Sequence, residues 1–322
     1  MDCIRRLVLG CRRDKGETMK KIIIIVAAFI ASLLVIGETG ARLSGLTDFP
    51  LYLSDNRIGY MPAPSQSGSF MRSNDWAFNE LSMGTARSFA PTQEKTDILL
   101  VGDSIVLGGN PYKQSDRLGP QLEMATGATV WPISAGSWAL QNELEYLLEN
   151  KSVVKQVDHV IFVLNSADFE RPSSWSSELT HPRERPICAL CYLAQKYVLR
   201  PASSTPSDLA VNPRDPIADL RAFAEEYRKP FDVWLYPNKA EMLDKTEWSR
   251  RFAPSIQRLE SAKIDGMRLH FGAEVLGWRA EDYRDDIHPT PQATEKLARA
   301  IASKTPSSQT GRVVTQQAQP SP

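Results

Sequence analysis

Two short polar stretches of this sequence combine the residue types that nucleophilic catalysis needs. Asp103 and Ser104 follow the apolar run Asp97–Gly102, and Asp285 lies three positions before His288 in the stretch DDIHPT. A serine attacks a carbonyl carbon when a base, most often histidine, removes its proton, and a carboxylate beside the imidazole holds the productive tautomer. Ser104, His288 and Asp285 are therefore candidates for nucleophile, general base and orienting carboxylate.

Each of these residues also has a purely structural interpretation. Serine is a common helix N-cap, so Ser104 is also a candidate cap, and Asp103 is the stronger cap or turn former. Asp285 and His288 would in the same way form a capping pair before Pro289 and the helix that follows. The presence of all three candidates in one chain favours catalysis over these alternatives.

Strand-like and helix-like segments alternate along the chain from residue 96 onward. The predicted strands are 97–102, 129–134, 159–165, 231–237 and 266–272, and the predicted helices are 116–127, 139–150, 216–229, 239–263 and 293–303. Such alternation indicates a parallel sheet that is covered on both faces. We therefore predict an α/β protein, a three-layer α/β/α sandwich around a central, mostly parallel five-stranded sheet of flavodoxin-like type.

The predicted fold places the polar candidates at one edge of the sheet. Ligands of such sheets bind beyond the carboxyl ends of the strands. Ser104 follows the first strand, Gly136 the second, and Asn165 and Asp168 the third, while His288 lies in the loop before the last helix. The candidate site therefore lies at this rim.

Residues 96–304 resemble the SGNH (GDSL-type) hydrolase superfamily. VGDSIVLGG resembles its nucleophile block with Ser104, ISAGSWA resembles the block whose glycine amide, here Gly136, serves the oxyanion hole, and DDIHP resembles the last block, DxxHP, with Asp285 and His288. The resemblance implies a serine esterase without metal or organic cofactor. It also implies that the amides of Ser104 and Gly136 bind the oxyanion.

One block departs from the family pattern. The family has GxND where this chain has NSAD, so Ala167 stands at the position of the oxyanion-binding asparagine. Two alternatives remain: Asn165 reaches the oxyanion from a shifted turn, or only the amides of Ser104 and Gly136 bind it. The loss of one such donor typically costs about 10²–10³ in rate.

The resemblance implies an esterase that removes acyl groups, acetyl groups above all, from an envelope or extracellular carbohydrate through an acyl-enzyme. A polysaccharide O-acetyltransferase would use the same residues with an acyl donor from a membrane partner, and a non-catalytic carbohydrate-binding or assembly protein is the alternative from another class. Trp138 and Asp168 are weaker candidates for substrate binding, since indole rings pack on sugars. The 38 basic and 38 acidic residues balance, so nothing indicates nucleic-acid binding.

The N-terminal region predicts export. Lys20 and Lys21 precede the uncharged run Ile22–Gly37, and residues 19–41 are typical of a signal anchor or a signal peptide with the following domain outside the cytoplasm. The small residues 39–41 leave cleavage open. We predict a protein held in the inner membrane and facing the periplasm or extracytoplasmic space, or secreted if the signal is cleaved.

Composition divides the remaining segments. Each has its own expected role: 1–18 an upstream extension of the coding sequence before Met19, 42–95 an irregular lead-in packed on the domain, 170–215 an insertion or lid, and 305–322 a disordered tail.

Cys188 and Cys191 form a CxxC motif that is open to three interpretations: a redox pair, half of a metal site, or a local disulfide. No second CxxC or nearby pair of histidines completes a zinc site in the sequence, and a proline-rich stretch, not a strand, precedes the motif. A structural disulfide is favoured in an exported protein.

Overall fold

The computed structural model describes residues 2–92 and 94–305, with residues 2–18 described by their backbone only. The predicted tail beyond residue 305 lies outside the described residues. By their contacts the described residues divide into two units, one of residues up to 48 together with 186–201 and one of residues 49–185 together with 202 onward.

The secondary structure is described in chain order. The strands are β1 Tyr52–Asp55, β2 Gly59–Pro62, β3 Gln66–Phe70, β4 Asn74–Phe78, β5 Asp97–Gly102, β6 Thr129–Ser134, β7 His159–Leu164, β8 Phe231–Leu235 and β9 Met267–Phe271. The α-helices are α1 Asp2–Leu43, α2 Ser104–Leu107, α3 Leu118–Thr126, α4 Leu140–Glu149, α5 Lys151–Gln156, α6 Ala189–Leu193, α7 Pro216–Tyr227, α8 Lys239–Leu243, α9 Lys245–Ala262, α10 Gly272–Val275 and α11 Pro291–Lys304.

Strands β5 to β9 form one parallel sheet in the order β6–β5–β7–β8–β9. Every residue of β5 and β7 is buried, as expected for central parallel strands that are covered on both faces. Alternate residues of β5 enter different cores: Leu99 packs in the core with α4, α7 and α9, and Leu100 packs in the core with α3 and α11. The predicted three-layer α/β/α sandwich is confirmed.

The structure corrects two details of the sequence prediction. The predicted helix 239–263 is two helices, because Asp244 interrupts it and caps α9 by accepting from the Thr246 amide at 2.8 Å. The predicted irregular lead-in contains two antiparallel hairpins, β1–β2 and β3–β4. Their strands are too short for a clear alternating pattern, and Met71 and Arg72 take the left-handed turn positions where glycine or asparagine would signal a hairpin.

The unit that contains α1 is built around a long apolar helix. Within it, Met19–Leu43 is long and apolar enough to cross a membrane, with a mean hydropathy of 2.5 in its most apolar window, none of which is buried. Cys188 and Cys191 form a disulfide at the start of α6. That this disulfide is structural rather than redox-active stays a prediction. The predicted insertion 170–215 belongs to both units, since only residues 186–201 group with α1.

Candidate active site

A sharp strand-to-helix turn presents Ser104. A Cβ on Gly102 would lie 2.6 Å from the Val106 side chain and 2.9 Å from the Val163 carbonyl oxygen. Only glycine therefore fits at this position at the end of β5. Asp103, rather than Ser104, is the N-cap of α2, and its Oδ1 accepts from the Ile105 amide at 2.8 Å. Ser104 is therefore not the cap of this helix, which was the structural alternative to a nucleophilic role.

Asp285 and His288 form a directly bonded pair. His288 Nδ1 lies 2.9 Å from both carboxylate oxygens of Asp285, and Asp285 Oδ1 also accepts from the amides of His288 at 2.8 Å and Ile287 at 3.0 Å. Partial burial raises the pKa of Asp285, but these hydrogen bonds lower it more, so the pKa lies below its ordinary value. A carboxylate on Nδ1 leaves Nε2 as the nitrogen that can accept a proton from a nucleophile.

Tyrosine hydroxyls fix the loop that carries His288. The Tyr236 hydroxyl donates to the Ile287 carbonyl at 2.6 Å, and the Tyr112 hydroxyl donates to the Pro289 carbonyl. The Arg284 amide donates to the carbonyl of His288 itself at 2.8 Å. The histidine is therefore held from both flanking residues and by its own backbone.

Ser104 and His288 line the same cavity, which has a volume of about 690 Å³. The other lining residues come from the ends of β5, β6 and β7 and from the His288 loop: Asp103, Ser137, Trp138, Ala139, Asn165, Ala167, Asp168, Glu170, Arg171, Ser173 and Ile287. Ser104 Oγ has a long hydrogen bond to Asp103 Oδ2 at 3.5 Å.

Gly136 lies in the turn that follows β6, next to the cavity-lining residue Ser137. Its carbonyl oxygen accepts from the Tyr60 hydroxyl at 2.7 Å, which fixes one side of the peptide chain at this turn. The oxyanion role of its amide stays a prediction.

The side-chain amide of Asn165 forms hydrogen bonds through both its nitrogen and its oxygen. Its Nδ2 donates to Asp103 Oδ2 at 2.9 Å and to Asp168 Oδ1 at 3.0 Å, and its Oδ1 accepts from the Ala167 amide at 2.8 Å. An amide group has two hydrogens to donate, and both are directed to carboxylates here. The oxyanion role of Asn165 stays a prediction, one that requires it to exchange one of these partners.

Three buried carboxyl groups interact at or near the cavity: Asp103 and Asp168 line it, and Glu143 is close enough to Asp103 for their charges to interact. Burial raises the pKa of Asp103 to about 6. Burial and the nearby Asp103 raise the pKa values of Asp168 and Glu143 well above their ordinary range. Glu143 was detectable from the sequence, since it lies three residues after Leu140 and four before Leu147 on the apolar face of α4.

The two predicted substrate-binding residues line the cavity but are almost completely buried. The Trp138 side chain is 2% exposed, and its indole N–H donates to the Tyr60 carbonyl at 2.6 Å. Asp168 is buried as well, with its carboxylate bonded to Asn165. Their roles in substrate binding stay predictions. In the described part of the chain no group of three or more His, Cys, Asp or Glu side chains is arranged to hold a metal ion.

The similarities of this chain to known proteins are found among solved structures. A protein from Bacteroides ovatus named as GDSL-like lipase is 12% identical with a TM-score of 0.36, over 67% of this chain and 53% of that one. The catalytic domain of Streptococcus pneumoniae peptidoglycan O-acetyltransferase A is 15% identical with a TM-score of 0.36, over 65% of this chain and 92% of that one. A carbohydrate esterase family 2 enzyme from Corynascus thermopiles is 16% identical with a TM-score of 0.37, over 68% and 69%.

The chain thus spans about half the length of the Bacteroides ovatus protein. No family model and no curated protein matches it.

Proposed function

We propose that this protein is a serine ester hydrolase of SGNH type. The observation that carries the proposal is that Ser104 and His288 line one cavity while Asp285 holds His288 Nδ1 at 2.9 Å. A nucleophile, a base near neutral pH and an orienting carboxylate are then available at the carboxyl end of one sheet, where α/β proteins bind their ligands.

The proposed reaction proceeds through an acyl-enzyme. Ser104 Oγ attacks the ester carbonyl carbon as His288 Nε2 takes its proton, and Asp285 stabilises the imidazolium that forms. The imidazolium then protonates the leaving alcohol. Water, deprotonated by His288, attacks the acyl-serine, which releases the carboxylic acid and restores Ser104.

The amides of Ser104 and Gly136 are the proposed oxyanion donors. Of the two alternatives that the sequence left open, the hole without Asn165 is supported by the engagement of both Asn165 amide hydrogens with Asp103 and Asp168. Backbone donors fixed by a turn need no reorganisation when charge develops on the oxygen.

The cavity supports a hydrophilic substrate with a small acyl group, such as an acetylated carbohydrate. Its exposed lining includes the charged residues Glu170 and Arg171 and the hydroxyl of Ser137. These polar groups can form hydrogen bonds with sugar hydroxyls.

The proposed location is outside the cytoplasm, with α1 as a membrane anchor. Residues 19–43 form a helix of sufficient length and apolar character. Lys20 and Lys21 precede its uncharged run Ile22–Gly37, which orients the N-terminus to the cytoplasm. The Cys188–Cys191 disulfide fits an oxidising compartment.

Acyl transfer to a carbohydrate hydroxyl is the second candidate, and α1 is the observation that favours it. A membrane anchor keeps the enzyme beside a membrane partner that supplies an acyl group. Transfer and hydrolysis share the acyl-enzyme and differ only in the acceptor.

The proposal is tested with the full chain in detergent, an activated acetyl ester and a sulfonyl fluoride that modifies nucleophilic serines. We expect Ser104→Ala to lose both turnover and the covalent adduct seen by intact mass. The control Ser115→Ala, an exposed serine outside the cavity, should keep both. Turnover by Ser104→Ala at the wild-type rate would refute the proposal. Acetylated oligosaccharide formed at the expense of free acetate would identify a transferase.

A further inference from the structure

Residues 186–200, which we call the disulfide segment, are fixed to the last turns of α1. The carboxylate of Glu38 accepts from the amides of Ala189 at 2.8 Å and Leu190 at 3.0 Å. Arg42 donates to the carbonyl oxygens of Pro186 at 3.2 Å and Ile187 at 2.6 Å. The disulfide segment is therefore held at one level along the helix axis.

Packing at the same level is close. A Cβ on Gly37 would lie 3.2 Å from a methyl carbon of Leu190, so the absence of a side chain on Gly37 lets Leu190 approach the helix backbone. The Cys188–Cys191 disulfide joins the residues on either side of this contact. The attachment thus combines apolar packing, charged hydrogen bonds and a covalent link within the segment.

The level of attachment corresponds to the place where α1 would leave the hydrocarbon of a bilayer. About 20 helical residues span the hydrocarbon, at about 1.5 Å per residue. Counted from Ile22, which follows the two lysines, such a span ends near Ala41. Glu38 and Arg42 lie at this boundary, where charged groups are costly unless they are paired. Their ion pair, with N and O 2.6 Å apart, and their bonds to the disulfide segment provide that pairing.

The disulfide segment exposes large apolar side chains. Ile187 is 98% exposed, Val198 76%, Leu199 70% and Tyr197 54%. Lys196 and Arg200 flank the last three in sequence. Aliphatic side chains beside a tyrosine and basic residues are typical of segments that lie in the membrane interface, where basic side chains extend toward the headgroups.

We propose that the disulfide segment is a second membrane-contacting element, which inserts Ile187 and Tyr197–Leu199 among the lipids of the leaflet from which α1 emerges. This inference rests on the proposed anchoring by α1. The occupant of these apolar side chains is lipid because the segment that carries them is directly bonded to a helix of membrane-spanning length whose own apolar side chains are exposed.

The test uses the full chain in vesicles of phosphatidylethanolamine and phosphatidylglycerol that contain doxyl lipids as quenchers. Cys3 and Cys11 are replaced by serine, the disulfide is kept, and an environment-sensitive fluorophore is attached at Val198→Cys. Phe29→Cys, in the middle of the proposed span, reports the anchor itself. Met124→Cys is the matched control, since Met124 is 69% exposed and apolar but lies on α3.

We expect the label at position 198 to be quenched more by a doxyl group near the headgroup than by one near the chain end, and the label at position 29 to show the reverse. The label at position 124 should be little quenched. Quenching at position 29 without quenching at position 198 would overturn the inference and keep the anchor, and would indicate a protein partner for the surface. The absence of quenching at positions 29 and 198 would overturn both this inference and the proposed anchoring by α1. Equal quenching at positions 124 and 198 would also overturn the inference.

Discussion

Asp285 organises the proposed base His288 by contacts that are local in the chain. One carboxylate binds the ring Nδ1 and the amides of Ile287 and His288, so the backbone of the loop and the orientation of the ring are fixed by the same group. The three-residue spacing that suggested the pair in the sequence therefore has a geometric reason, since it closes a turn around the carboxylate.

Replacing His288 should abolish turnover. His288→Ala removes the base, and general base catalysis contributes about 10²–10⁴ in rate. His270→Ala and His181→Ala should remain active, because His270 bonds Asp232 within the sheet and His181 stacks on Tyr60. Steady-state kinetics on an activated acetyl ester checks this, and a His288→Ala protein with wild-type turnover would show that another group is the base.

Asn165→Ala should weaken turnover without unfolding the protein. The substitution removes the amide that joins the carboxyl groups of Asp103 and Asp168 beneath Ser104. If the amide also reaches the oxyanion, kcat should fall by about 10²–10³. Kinetics and a urea titration of the same protein separate the two effects. An unchanged kcat would exclude Asn165 from the oxyanion hole.

The buried Asp103 should make the folded protein less stable as pH rises. Burial raises its pKa from 3.8 to about 6, so between these values the folded chain binds more protons than the unfolded chain. The contribution of Asp103 to the free energy of unfolding must then decrease with increasing pH across this interval and level off above it. Asp103→Asn, which is neutral and still accepts from the Ile105 amide, should reduce the slope. Urea midpoints measured across the interval test this, and identical slopes for both proteins would contradict it.

At the scale of elements, the loop before α11 is positioned by the residue that follows β8 and by the loop after α2. The hydroxyls of Tyr236 and Tyr112 both hold backbone carbonyls next to His288, although neither tyrosine belongs to a motif. The proposed catalytic geometry therefore depends on two tyrosines that contribute only hydrogen bonds to backbone carbonyls.

Tyr236→Phe should lower kcat and stability together. The lost hydrogen bond to the Ile287 carbonyl is worth about 1 kcal/mol, and the freed loop no longer fixes His288 opposite Ser104. Tyr146→Phe is the matched control, since the Tyr146 hydroxyl donates to the Leu81 carbonyl at 2.8 Å and Tyr146 does not line the cavity. Both should lose similar stability by urea titration, but only Tyr236→Phe should lose turnover. Equal kcat values for the two variants would show that this bond does not position the base.

At the scale of the whole molecule, one buried carboxylate joins three strands of the sheet. Asp232 on β8 accepts from His159 on β7 at 2.6 Å and from Arg268 and His270 on β9 at 2.7–2.8 Å. Burial raises the pKa of Asp232, but the hydrogen bonds from His159, His270 and Arg268 lower it by more, so the pKa lies below its ordinary value. This cluster is a structural use of histidine away from the cavity.

Asp232→Ala should destabilise the protein by about 3 kcal/mol, the cost of leaving buried charges unpaired. Because the folded pKa of Asp232 is depressed, its contribution is present above about 3.8 and is lost as the pH falls below that value. Asp219→Ala, which breaks a partly exposed pair with Arg214, is the control and should cost less than about 1 kcal/mol. Urea titrations near neutral pH measure both. Equal losses would show that the Asp232 cluster contributes no more than a surface pair.

Features that depend on residues close together in the chain could be predicted from the sequence. The continuous apolar runs of β5 and β7 identify strands buried on both faces, and the spacing of Asp285 and His288 identifies the bonded pair, because each signal lies within a few residues. The disulfide between Cys188 and Cys191 is equally local. The hairpins at residues 52–78 were missed because such short strands carry too little periodic signal.

Contacts between residues far apart in the chain were decided by the folded structure alone. Asn165 meets Asp103 across 62 positions, His159 meets Asp232 across 73, and Ala189 meets Glu38 across 151. No local pattern encodes such pairs, since each depends on which strands become neighbours in the sheet or which segment returns to α1. The residues able to do the chemistry were therefore visible in the sequence, whereas the groups that hold them, and the pKa values that burial imposes, depend on the packing of the whole chain.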